Sequence, residues 1–309
     1  MLKRVEKLLI PNKGKQIFRQ RESFVPIYCI SASKTVILCV KSDKSSMKYE
    51  IQNLSTGYRL RGGDKVIAAR LSATLSQGRL TCLLGPNGSG KSTLLRTMSG
   101  LQPALEGEIM ADGVKLSSLD IRERAKFVSV VLTSVHSVCT MSVNELVAMG
   151  RSPYTGFWGR LTQRDREIVD ESLRLVGMEQ FARRRIQTLS DGERQKVLIA
   201  KAIAQETPYI FLDEPTAFLD YPSKVKMMLL LHRLSHSYGK TILLSTHDVE
   251  HALSLADTIW LLDREHGLVT GTPQSLGEQG LIGQYFDSDE VAYDAREQRF
   301  KIFQNRHLP

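Results

Sequence analysis

The chain has 309 residues, 42% of them hydrophobic and 24% charged, close to the average soluble globular protein. That excludes a disordered chain, a collagen-like chain and a disulfide miniprotein. No uninterrupted apolar run reaches the 18 or so residues of a membrane span. The net charge of +9 suggests a nucleic-acid footprint until it is located. Residues 1–46 hold ten of the 42 Lys and Arg and three of the 33 Asp and Glu, a net of +7. The remaining chain carries only +2, so no nucleic-acid partner is expected for its main body. Cys29, Cys39, Cys82 and Cys139 have no CxxC spacing and read as reduced thiols of a cytosolic chain.

In chain order, residues 1–46 come first as a basic, weakly periodic extension, expected to be disordered. The N-terminus is basic but lacks an apolar stretch followed by small residues, so no secretory signal is expected. The charge break and the strand-like pattern after Met47 make Met47 a candidate natural start. From 47 onward, short apolar runs alternate with helical patterns. Strands are expected at 48–54, 66–75, 80–84, 107–111, 127–132, 208–212, 241–245, 257–263 and 267–270. Helices are expected at 91–100, 120–125, 142–149, 163–176, 191–205, 223–237, 249–254 and 273–276. The strands at 208–212 and 241–245 are almost purely apolar, as strands buried on both faces are. The early strands alternate, as in an antiparallel sheet. Phe300 to Phe303 is a candidate final strand. The pattern reads as an α/β nucleotide-binding core, with an antiparallel β subdomain and a helical subdomain at about 135–190. The main domain covers 47–275, and 276–309 form its C-terminal extension.

Three motifs carry chemistry. Gly85, Pro86, Asn87, Gly88, Ser89, Gly90, Lys91, Ser92 and Thr93 follow an apolar strand and open a helix, the context of a P-loop. Glycines let successive N–H groups face an anion, and the helix N-terminus adds partial positive charge. Lys91 would reach the β- and γ-phosphates of a nucleoside triphosphate, with the Ser92 hydroxyl on Mg²⁺; alone, the motif says only NTP binding. The second motif is an apolar strand ending in Asp213 and Glu214. Asp213 can hold Mg²⁺ through water, and Glu214 can orient or deprotonate an attacking water, which favours hydrolysis over phosphoryl transfer to a metabolite. The third is Leu189, Ser190, Asp191, Gly192, Glu193. Ser190 and Glu193 form a capping-box pattern, so a well-made helix start suffices to explain them. A second anion site at that helix N-terminus is the functional alternative.

These motifs, with His247 after the strand at 241–245, resemble the ATP-binding-cassette (ABC) ATPases in order and spacing over residues 48–275. The resemblance implies that Tyr58 stacks on adenine and that Lys91, Ser92 and Thr93 bind phosphate and Mg²⁺. It makes Glu214 the catalytic base and His247 the switch residue at the γ-phosphate. It implies that Asp220 communicates across a dimer, and that Ser190 and Gly192 contact ATP held by the other copy. A homodimer with composite ATP sites follows. Thr133 departs from the pattern, since the family usually carries Gln there. Residues 141–154, the stretch after Leu189 and the stretch after Thr216 are similar to the branch of importers for ferric siderophores, haem and cobalamin. That likeness implies transmembrane permease subunits, an indirect substrate-binding protein, and a peripheral position on the cytoplasmic face of the inner membrane. Two other readings stay open: a soluble cassette ATPase acting on nucleic acid or ribosomes, and a small-molecule kinase on a P-loop fold.

Overall fold

The computed structural model describes residues 24–31, 34–41, 48–132, 140–156 and 158–303. It divides into two compact units, Met1–Met47 and Lys48–Pro309. In the first, β1 (Phe24–Ser31) pairs antiparallel with β2 (Lys34–Lys41), with Ser31 opposite Lys34. This departs from the disordered extension expected there. Both segments are rich in Val, Ile, Tyr and Thr, which favour a pleated strand, and the flanking Lys and Arg mask that pattern in a charge count.

The second unit opens with β3 (Tyr49–Leu60) and β4 (Gly63–Leu75), a long hairpin. β5 (Leu80–Leu84) and α1 (Lys91–Met98) follow, then β6 (Glu106–Ala111) and β7 (Val114–Lys115). The antiparallel sheet has the order β4-β3-β6-β7. Next come α2 (Ile121–Phe127), β8 (Val128–Val131), α3 (Val143–Ala148), α4 (Gln163–Leu175) and α5 (Asp191–Ala204). The chain continues through β9 (Tyr209–Asp213), α6 (Tyr221–Tyr238), β10 (Thr241–Ser245), α7 (Val249–Leu255) and β11 (Thr258–Leu262). It closes with β12 (Leu268–Gly271), α8 (Pro273–Glu278), α9 (Leu281–Phe286) and the hairpin of β13 (Val291–Asp294) with β14 (Arg299–Ile302).

The larger sheet has the order β12-β11-β5-β10-β9-β8, with only β12 antiparallel. Its central strands are buried on both faces, and successive side chains enter two different cores. Leu83, Tyr209, Phe211, Leu243, Trp260 and Leu262 pack with the antiparallel sheet and Leu94, Leu95 and Met98 of α1. Their neighbours Cys82, Leu84, Ile210, Leu212, Ile242, Leu244, Ile259 and Leu261 pack with the helices on the other face. Tyr49 joins the two sheets, edge to face with Tyr209 and Phe211 at 4.9 and 5.2 Å, while its hydroxyl donates to the Met98 carbonyl. The fold class read from the sequence, a P-loop α/β core with an antiparallel layer and helices, is the one observed.

Candidate functional site

In an open parallel sheet, ligands bind in the crevice beyond the carboxyl ends of the strands. Here the ends of β5, β9 and β10 converge there because their register is fixed. Leu83 and Asp213 both lie opposite Ser245. Three segments far apart in sequence therefore meet: the glycine loop after β5, the two carboxylates at the end of β9, and the turn after β10.

The glycine loop is shaped by close approach. A Cβ on Gly85 would stand 2.0 Å from the Leu262 carbonyl oxygen at the end of β11, and the residue has φ +154°. Neither backbone can yield cheaply. Gly85→Ala is expected to cost about 1–3 kcal/mol, as overpacking does, and to weaken nucleotide binding, both readable from thermal melts with and without MgATP. Gly90 caps α1 in a left-handed conformation. The Lys91 ammonium is buried and donates to the Gly85 and Pro86 carbonyls at 2.8 and 3.0 Å, closing the loop into an arch. Burial pushes its pKa below the usual lysine range, against the opposing pull of the Glu214 and Asp213 carboxylates.

Asp213 is buried, and one of its oxygens accepts from the Ser92 hydroxyl at 2.9 Å and the Ser245 hydroxyl at 2.7 Å. The Ser92 and Asp213 oxygens are hard donors held side by side. Such a pair fits Mg²⁺, which takes one or two protein oxygens and fills the rest of its shell with phosphate and water. Glu214 sits at φ +49°, a conformation that costs a non-glycine residue free energy. Its N–H is held there by the Ser245 carbonyl at 3.1 Å and hydroxyl at 3.0 Å. His247 Nε2 lies 2.5 Å from Glu214 Oε1.

Lys91, Ser92, Glu214 and His247 line one cleft of about 250 Å³, together with Tyr58, Asn87, Gly88, Gly90 and Thr93, and Asp213 lies behind Ser92. Tyr58 lies on β3 opposite Lys65, since the strand runs six residues past its expected end. Tyr58 is 42% exposed and lines the cleft, with its hydroxyl 3.4 Å from that of Thr93. Gly85, Pro86 and Ser89 form the loop behind this lining. Ser190, Gly192 and Asp220 line no part of the cleft. Ser190 caps α5 in a full capping box with Glu193, whose carboxyl is held below its usual pKa by the Ser190 N–H and hydroxyl. Asp220 caps α6, accepting from the Ser223 N–H at 3.3 Å. Thr133 lies outside the described residues.

Two site residues escaped the sequence reading. Ile67 of β4 lines the cleft, and nothing in its local pattern marks it. Ser245 organises both carboxylate positions, and a hydroxyl closing the apolar run of β10 is the signal that could have found it.

A buried parallel strand feeding a glycine loop, with carboxylates and a histidine closing in from the next two strands, defines a P-loop ATPase cassette. The description "ABC transporter" matches residues 68–217. An uncharacterized ABC transporter ATP-binding protein of Methanocaldococcus jannaschii is 37% identical over 78% of this chain and 82% of its own length. The iron(3+)-hydroxamate import ATP-binding protein of Bacillus subtilis is 35% identical, over 79% and 90%. A transporter described as of the metal-chelate type, solved facing inward, superposes with a TM-score of 0.67 and 26% identity over 82% of this chain and 95% of that one. The chain belongs to the ABC transporter family, as an ATP-binding, ATP-hydrolysing subunit.

Proposed function

We propose that the chain powers an importer of ferric siderophore, haem or cobalamin, acting on separate permease subunits from the cytoplasmic face of the inner membrane. The observation that carries the substrate class is the 35% identity to a relative named for iron(3+)-hydroxamate import, over 90% of that relative. A petrobactin import ATP-binding protein of Bacillus subtilis, also 35% identical over 98% of its length, points to the same iron-chelate class.

In this reading, Tyr58 stacks on adenine and the N–H groups of the loop from Gly85 to Thr93 receive the phosphates. Lys91 leaves its loop carbonyls for the β- and γ-phosphates. Ser92 and Asp213 hold Mg²⁺, which supplies charge neutralisation at the phosphates. Glu214 orients the attacking water and accepts its proton, while His247 contacts the γ-phosphate. Ser190 and Gly192 act on ATP held by a second copy. A Cβ on Gly192 would meet only Leu219, at an ordinary 3.5 Å, so packing within one chain gives no reason for glycine there. Asp220 faces the partner copy. A substrate-binding protein delivers cargo to the permease, and nucleic acid is no partner.

The test is a pull-down from native membranes with tagged Glu214→Gln and MgATP. A polytopic permease should co-purify. Recovery of ribosomes or soluble proteins alone would reject transport while leaving the ATPase chemistry intact.

A further inference from the structure

The turn after β10 carries His247 toward Glu214, but another residue ties that turn to the segment following Glu214. The Asp248 carboxylate accepts from the Thr216 hydroxyl at 3.1 Å through one oxygen and from the Lys224 ammonium at 3.0 Å through the other. Its own N–H donates to the Thr246 hydroxyl within the turn, 3.0 Å away. Thr216 lies two residues after Glu214. Lys224 lies four after Asp220, one helical turn along α6, and its N–H donates to the Asp220 carbonyl at 2.9 Å. One carboxylate thus grips both ends of the loop from Glu214 to Asp220 and holds it against the histidine turn. The Lys224 and Asp248 side chains are each 27% exposed, so the pair is partly shielded from water and screened less than a surface pair.

We propose that Asp248 is a positioning residue for hydrolysis, which with Lys224 and Thr216 fixes His247 against Glu214 and sets the Asp220 loop by the same contact. The inference rests on the roles assigned above to Glu214, His247 and Asp220. It adds a mechanical link between them: a displacement of the histidine turn moves Asp248, and Asp248 carries the Asp220 loop with it. In a dimer, that loop is the part that faces the partner's site, so the link gives each site a route to the other. Asp248 is not among the residues that line the cleft, and both of its carboxylate oxygens are engaged by Thr216 and Lys224. Its loss should leave nucleotide affinity alone and slow turnover.

The experiment uses the full chain with MgATP and compares Asp248→Asn, Lys224→Met, their combination and Lys224→Arg. Each of the first two should lower kcat at least about fivefold, in the range of residues that couple sites without touching ligand, with KM within about twofold. The combination should be no slower than the worse single variant, because both remove one contact. Lys224→Arg should restore most of the rate. Thermal melts should stay close to that of the unaltered chain. Single variants that hydrolyse at the unaltered rate would overturn the proposal. So would losses that multiply in the combination, or a loss that follows a lowered Tm and that arginine does not rescue. An unaltered chain without ATPase activity would instead overturn the reading of the cleft itself, and the link with it.

Discussion

Glu214→Gln should lower ATP turnover at least about a hundredfold, the usual contribution of a positioned general base, while nucleotide still binds. The substitution preserves size and leaves the backbone contacts with Ser245 in place, so the unusual φ of residue 214 has the same support. It removes only the proton acceptor. Lys91, Ser92 and Asp213 are untouched, and these are the groups proposed to hold phosphate and metal. The two effects should therefore separate in measurement: steady-state phosphate release collapses, and titration with a fluorescent ATP analogue stays near the unaltered affinity. His247→Ala should also reduce turnover, and the two changes together should cost less than the product of their separate effects, because the side chains meet at 2.5 Å and act as a unit. A Glu214→Gln chain that hydrolyses ATP at the unaltered rate would remove Glu214 from the chemistry and require another base.

The parts of this arrangement legible in the sequence are those set by local chemistry. The loop from Gly85 to Thr93 is read directly, because a strand, a glycine loop and a helix start are contiguous and each has its own residue pattern. The capping box at Ser190 and Glu193 is likewise a four-residue signal. β9 and β10 announce themselves as doubly buried by unbroken apolar runs. What the sequence hides depends on register and on long-range approach. The pairing of His247 with Glu214 spans 33 positions and exists because Ser245 sits opposite Asp213. Ile67 reaches the cleft because β4 pairs with a strand that continues to Leu60. Tyr58 was legible as an aromatic at a family position, but its place on a strand was not. The polar run from Ser55 to Arg59 has no hydrophobic alternation, and the hairpin partner supplies the hydrogen bonds. Toward the two ends of the chain, the strands at 24–41 and the partner of the expected strand near Phe300 were hidden for different reasons. Residues 24–41 are masked by their charged flanks. The pair of β13 and β14 is short, and its packing partners Tyr293, Phe286 and Phe300 become visible as a cluster only once folded.

Arg151 shows the same limit at a structural position, and its removal should produce the largest loss of stability. It lies in a single helical turn after α3, where the sequence offers only an arginine near a proline and an aromatic. In the fold it is buried, and its guanidinium bonds Asp165 of α4 at 2.9 Å, the Ala204 carbonyl at the end of α5 at 2.6 Å and Glu206 at 2.9 Å. The same group lies 4.2 Å from the centroid of the Tyr154 ring. Arg151→Met keeps the volume and leaves the Asp165 carboxylate without its cation, a change expected to cost about 3–5 kcal/mol. Native stability is only about 5–15 kcal/mol in total, so the melting temperature should fall by on the order of 10 °C. Pairing Arg151→Met with Asp165→Leu should recover part of that loss, since no buried charge is then left unmatched. The pH dependence gives a further check with a defined sign. The Thr162 hydroxyl, with the Thr162 N–H and the Arg151 guanidinium, holds the Asp165 carboxyl below its usual pKa against the opposing effect of burial. A carboxyl depressed in the folded state stabilises it above the unfolded value of about 3.9, and that stability disappears as pH falls through the lower folded value. The advantage of the unaltered chain over Asp165→Asn should hold steady from neutral pH to about 5 and shrink below about 4. The consequence reaches function through α5: its far end is clamped by Arg151, and its near end presents Ser190 and Gly192. With Ser190 and Gly192 acting on the other copy's ATP as proposed, a chain that survives Arg151→Met should bind nucleotide in its own cleft normally, yet hydrolyse poorly, because the start of α5 is no longer held at a fixed angle.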